Sequence, residues 1–182
     1  MPPGYVRTIR EELQYEYAKL ISRSAFDGKL EYRFIANRFK ALKAGAITIS
    51  GTIREWEKES VLPRVCVFCG SSGDLQQDHL IPKSRGGRDS ADNMVWTCRT
   101  CNITRGDKGI FEWFGLKEKD KLHRLVAGKY LKELFELHEQ KGTLGIDKAN
   151  IKQLCGACRN GHVCIEWDKV EQLTCLCLES IF

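Results

Sequence analysis

The sequence predicts an α+β protein. Three observations carry that reading. Apolar residues recur at helical spacing across residues 9–42 and again across 122–137. Two short segments, Leu75–Ile81 and the apolar Met94–Thr97, read as strands. Two Cys-x-x-Cys pairs bracket those strands and are suited to clip them together. The expected organisation is a helical region over residues 1–60, a cysteine-bracketed unit over 61–110, a helical extension over 111–146 and a small cysteine-rich knuckle over 147–182.

The first helix has a start signal at Thr8-Ile9-Arg10-Glu11, which fits a capping box, and a stripe of Ile9, Leu13, Tyr17, Leu20 and Ile21. Gly28 is placed to end it. A second helix is expected from about Leu30 to Leu42, with Gly45 as its stop. Its polar face is basic, with Lys29, Arg33, Arg38, Lys40 and Lys43 against Glu31. Thr52-Ile53-Arg54-Glu55 repeats the start signal before a short helix toward Ser60. In the central unit the order is strand, loop, strand, helix. The strand from Leu75 stops at Pro82, a basic glycine-containing loop covers Lys83–Arg88, and a helix starts near Cys98. Phe111, Trp113, Phe114 and Leu116 form an apolar cluster, with Trp113 and Phe114 expected in the core. A long amphipathic helix is expected from Asp120 to about Gly142, with His123 and His138 on its surface or margin. Gly142, Gly145 and Asp147 then read as a linker.

Composition narrows the class. With 182 residues and 42% hydrophobic content the chain can bury a core. No apolar run approaches the roughly 18 residues of a membrane span, and the N-terminus lacks the pattern of a secretory signal. The expected compartment is the cytoplasm. Nine cysteines in a reducing compartment point to metal ligation over disulfides, and an odd number cannot all pair within the chain. The net charge of +5 permits a nucleic-acid partner without requiring one.

Cys66, Cys69, Cys98 and Cys101 supply the four thiolates of a tetrahedral zinc site. Such a site is structural, because no coordination position stays open. The 28 residues between Cys69 and Cys98 mean that the metal clips a folded motif. A second structural zinc is expected on Cys155, Cys158, Cys175 and Cys177, with Cys164 or His162 able to replace one of the last pair.

Inside the first clip lies a set suited to phosphodiester hydrolysis. That reaction needs an activated nucleophile and a cation to bear developing charge. His79 is a candidate general base. Asp78 is a hard oxygen ligand for Mg2+ and Asn102 a neutral one. The string Cys66-x-x-Cys69-Gly70, Asp78-His79-x-x-Pro82, Gly86-Gly87, Asp92-Asn93, Cys98-Arg99-x-Cys101-Asn102 and Arg105-Gly106 resembles the HNH endonucleases of the ββα-metal type with a four-cysteine zinc clip. The resemblance covers roughly residues 64–109.

It implies that His79 deprotonates the attacking water and that Asp78 and Asn102 hold one Mg2+ or Mn2+. Asn93 would brace the loop and help to orient His79. Double-stranded DNA is the implied partner, with products carrying 5′-phosphate and 3′-hydroxyl ends. Asn102 stands where some members carry His, and Arg105 where many carry Lys. Lys83, Arg85, Arg88 and Arg105 are candidate contacts to the DNA backbone. The rival reading is a zinc-dependent nucleic-acid-binding module without catalysis; a third is a structural protein with zinc clips. Oligomeric state, target sequence and biological role stay open.

Overall fold

The computed structural model describes residues 3–49, 63–151 and 173–181. Five α-helices and a two-stranded antiparallel sheet form an α+β fold among them. The helices are α1 (Ile9–Ala25), α2 (Tyr32–Lys43), α3 (Arg99–Arg105), α4 (Ile110–Phe114) and α5 (Arg124–Gln140); the strands are β1 (Leu75–His79) and β2 (Met94–Cys98). The start signal at Thr52 and the cysteines at 155, 158 and 164, with His162, lie outside the described residues. No helix among the described residues is long and apolar enough to cross a membrane.

α1 begins as its sequence asks, with one change. The Thr8 hydroxyl accepts from the Glu11 amide at 3.2 Å, but the Glu11 carboxylate accepts from Arg7 N, one residue before the cap. The next orphan amides are met from elsewhere: Ile9 N donates to Ile146 O and Arg10 N to Leu144 O. The stretch expected to be a linker therefore packs against the start of α1, and a bridge between Thr8 and Asp147 extends the contact. α1 packs on α2 and α5. Its buried positions include Ile9, Leu13, Tyr17 and Leu20, and also Glu12, Gln14 and Glu16. α2 starts two residues later than expected and buries Ile35, Phe39 and Leu42; the left-handed φ of 71° at Gly45 follows its end. Arg33, Arg38 and Lys40 stay exposed, while Lys43 pairs with Glu11.

α5 begins at Arg124, four residues after the expected start. Lys119–Lys121 instead form a 3₁₀ turn, whose Lys119 and Asp120 are drawn to Glu16 and Arg23 of α1. His123 is the cap and not an interior residue: its Nδ1 accepts from Leu125 N at 3.4 Å. His138 corrects the sequence reading outright, because it is fully buried. Its Nε2 lies 2.9 Å from Leu178 O and so donates, leaving Nδ1 to accept from the Thr143 hydroxyl at 2.7 Å. Trp113 and Phe114 are half-buried rather than interior, and both pack on Phe68 of the first knuckle.

The C-terminal turn closes the structure. Its Glu179 carboxylate accepts from the Phe111 and Glu112 amides and from the Tyr130 hydroxyl, which caps α4 across 67 or more residues of chain. Gly109 is required there, since a Cβ would stand 2.3 Å from the Glu179 carboxyl carbon. One buried apolar cluster runs from Val6 through both long helices to Leu178.

His138 yields a pH prediction. Burial holds its pKa down at about 4 against 6.5 when unfolded. Above pH ~6.5 both states are neutral; between ~6.5 and ~4 only the unfolded chain takes the proton, so stability falls as pH falls, by up to roughly 3 kcal/mol. His138→Gln should remove that part of the slope, measured by urea unfolding from about pH 7.5 to about 4.5.

Candidate active site

The local chain explains why the strand–loop–strand–helix unit forms. The first knuckle turns tightly, with Gly70 N donating to Cys66 O at 2.8 Å and Gly70 at φ 77°. Val67 N donates to Trp96 O, which hooks the knuckle onto β2. β1 and β2 pair in antiparallel register, Leu75 opposite Cys98 and His79 opposite Met94. α3 starts at the end of β2 and packs on both strands.

This geometry converges the thiols of Cys66, Cys69, Cys98 and Cys101 to within 4.8 Å of one another, a cluster that can hold zinc. The Cys98 sulfur also caps α3 by accepting from Cys101 N at 3.5 Å. Burial raises the Cys66 thiol pKa, yet the amides of residues 98, 69 and 68 outweigh it and bring the value down to about 6. Burial and the neighbouring thiols push Cys101 up. A divalent ion would replace those thiol–thiol contacts with four metal–thiolate bonds.

Asp78 and His79 end β1 and are engaged by different elements. Successive strand residues face opposite sides. Asp78 accepts from the His79 amide on Oδ1 at 2.8 Å and from Arg105 on Oδ2 at 2.7 Å. His79 turns to the loop, with Nε2 3.0 Å from Asp89 Oδ1; Lys83 holds the other oxygen of Asp89 at 2.7 Å. Lys83 and then His79 keep the Asp89 carboxyl below its usual pKa. Asn93 is fully buried and staples the loop: its Oδ1 accepts from Ile81 N, and its Nδ2 donates to Ile81 O and Arg88 O. Gly87 lies so close that a Cβ would meet Ile81 O at 1.8 Å.

Arg105 faces inward, contrary to the expectation of a DNA contact. It is 1% exposed and donates to Asp78 Oδ2, His79 O and Leu80 O. Asn102 precedes it by three residues, so the two share a face of α3. Arg85 is also buried, beside Glu112 and Asp107. Arg88 is half-exposed but bound to Glu133 and Glu136 of α5, while Lys83 is exposed and paired with Asp89. α5 adds two further ties to this loop and sheet, from Lys132 to Asp92 and from Lys129 to Met94 O. Asp89, Glu133 and Lys129 were not singled out by sequence reading. Asp89 had a weak signal, a carboxylate ten residues beyond the histidine in a basic loop; the α5 residues had none.

A cavity of about 810 Å³ opens on the other side of β2, lined by Val65, Phe68, Trp96, Val126 and others. None of Asp78, His79 and Asn102 lines it.

Residues 66–109 match the family model described as HNH endonuclease. Over that segment the chain is similar to the HNH endonucleases, a family that points to nuclease-type chemistry on a nucleic-acid substrate. No curated protein and no solved structure matches the chain.

Removing the Arg105 guanidinium should be severe, because it strands a part-buried carboxylate and two carbonyls. Arg105→Met should cost about 3–5 kcal/mol, read as a lower urea midpoint with an unchanged m-value.

Proposed function

We propose that the protein is an endonuclease that hydrolyses DNA phosphodiester bonds with one divalent cation and with His79 as general base. The observation that carries this is the His79–Asp89 contact at 3.0 Å beside an Asp78 held at the end of the same strand. A carboxylate on Nε2 keeps the proton there, so Nδ1 has the free lone pair that can accept a proton from water. As the ring becomes charged, Asp89 stabilises the imidazolium. Asn93 holds the loop that carries Asp89, so its buried amide acts by positioning.

Asp78 and Asn102 fit a Mg2+ or Mn2+ ion by donor chemistry, one carboxylate and one amide oxygen approached from β1 and α3. When bound, the ion supplies the positive charge that the developing phosphorane and leaving oxygen require. Arg105 steadies Asp78 through Oδ2 and still leaves it able to ligate, since each carboxylate oxygen has a second lone pair. Zinc on the four thiolates has the separate task of fixing α3 against the knuckle. Lys83 and the exposed basic face of α2 are the candidate contacts to the phosphate backbone, in place of the two buried arginines. Double-stranded DNA and products with 5′-phosphate and 3′-hydroxyl ends belong to the same reading.

Supercoiled plasmid with Mg2+ or Mn2+ tests it. Wild-type protein should nick or linearise the plasmid, with no cleavage in EDTA. His79→Ala should lower the rate by about 10²–10⁴. Asp89→Asn, which keeps a hydrogen bond but removes the charge, should lower kcat with little change in KM. Salt-sensitive binding with no metal-dependent cleavage would favour the binding-module reading.

A further inference from the structure

A second group of metal-ligating side chains lies on the far side of the fold. Glu12 and Glu16 project from adjacent turns of α1, and Cys175 comes from the C-terminal 3₁₀ turn (Cys175–Glu179). One ligand atom from each lies within 4.8 Å of the other two, and all three residues are buried. The two glutamates are not alike. Glu16 is ion-paired with Lys19 at 2.5 Å and with Lys119 at 2.8 Å. Glu12 is 0% exposed, and neither of its carboxylate oxygens has a hydrogen-bond partner among the described residues.

An unpaired carboxylate in a core is among the most costly arrangements a protein can carry. Among the described residues Glu12 has no hydrogen-bonded cation, because Lys19 and Lys119, whose charges reach it through space, bond to Glu16; the neighbourhood leaves it without a direct partner. What it does offer is a second carboxylate and a thiol. Burial holds Glu12 in its acid form up to about pH 8 and raises the Cys175 thiol as well. Both protons leave to solvent when a cation enters, and a transition-metal ion compensates that loss directly.

We propose that Glu12, Glu16 and Cys175 form a mixed carboxylate–thiolate site for a divalent transition-metal ion of the zinc class, pinning α1 to the C-terminal turn. The donor set is of the type zinc accepts, with oxygens at about 2.0–2.2 Å and sulfur at about 2.3 Å. The site is structural: it joins two stretches of chain more than 150 residues apart in sequence. The turn it fixes also carries Glu179, which caps α4 directly after the HNH segment. The assignment differs from the four-thiolate ligand set that the C-terminal cysteines suggest, and it does not rest on the nuclease reading.

The test counts zinc in the purified full chain by elemental analysis, for wild type, Glu12→Gln, Cys175→Ser, Cys155→Ser and Cys158→Ser. Wild type should carry two equivalents. Glu12→Gln and Cys175→Ser should each carry one, while the Cys155 and Cys158 variants keep two. Thermal melts separate ligand loss from misfolding. In chelator-stripped protein Glu12→Gln should melt at or above wild type, because it replaces an unpaired acid by a neutral amide. Added Zn2+ should then raise the wild-type midpoint more than that of Glu12→Gln. The proposal is overturned if Glu12→Gln retains both equivalents, if wild type holds only one, or if stripped Glu12→Gln melts well below stripped wild type.

Discussion

The geometry at the end of β1 depends on one buried guanidinium. Arg105 reaches from α3 across the strand and satisfies the Asp78 carboxylate together with the carbonyls of His79 and Leu80. A planar fork is suited to that task, since its two terminal nitrogens present donors to the three oxygens in a fixed geometry. The strand end, the helix and the loop beyond are thereby brought to one point. Burial of the charge is tolerated because it meets three oxygens, of which the Leu80 carbonyl is buried and the other two are part-buried.

Two other constraints hold the unit from outside. The four cysteines draw the first knuckle to the start of α3, so that the helix leaves β2 at a set angle. α5 grips the loop from the opposite flank, with Glu133 and Glu136 on Arg88, Lys132 on Asp92 and Lys129 on the β2 backbone. The long helix is therefore part of the site's support, even though it falls outside the segment that matches the HNH endonuclease family. This arrangement also explains the count of basic residues that do not face solvent. A loop rich in Lys and Arg reads as a DNA-binding surface, yet here Arg85 and Arg88 serve chiefly to fasten the loop to acidic partners on α4 and α5.

Local patterns were legible where a residue's role is set by its near neighbours. The Thr8 cap, the α1 stripe, the glycine stop at Gly45, the two strands and the cysteine pairs all follow from spacing over a few residues. Errors arose where a distant partner decided the outcome. α5 starts late because Lys119 and Asp120 are claimed by α1. His138 is interior because Leu178, forty residues on, offers a carbonyl to its ring. Trp113 is half-exposed because the knuckle residue Phe68 covers only part of it.

The sequence by itself determined the class: an α+β fold, a four-cysteine clip, and an Asp-His pair and Asn102 set between and beside its knuckles. Those features depend on residue type and interval, which a linear chain states openly. Only the tertiary structure decided which charges face outward, which carboxylate backs His79, and that Glu12 and Glu16 meet Cys175. Each of these is a pairing between segments far apart in the chain, and periodicity holds no record of which buried charge will find which partner.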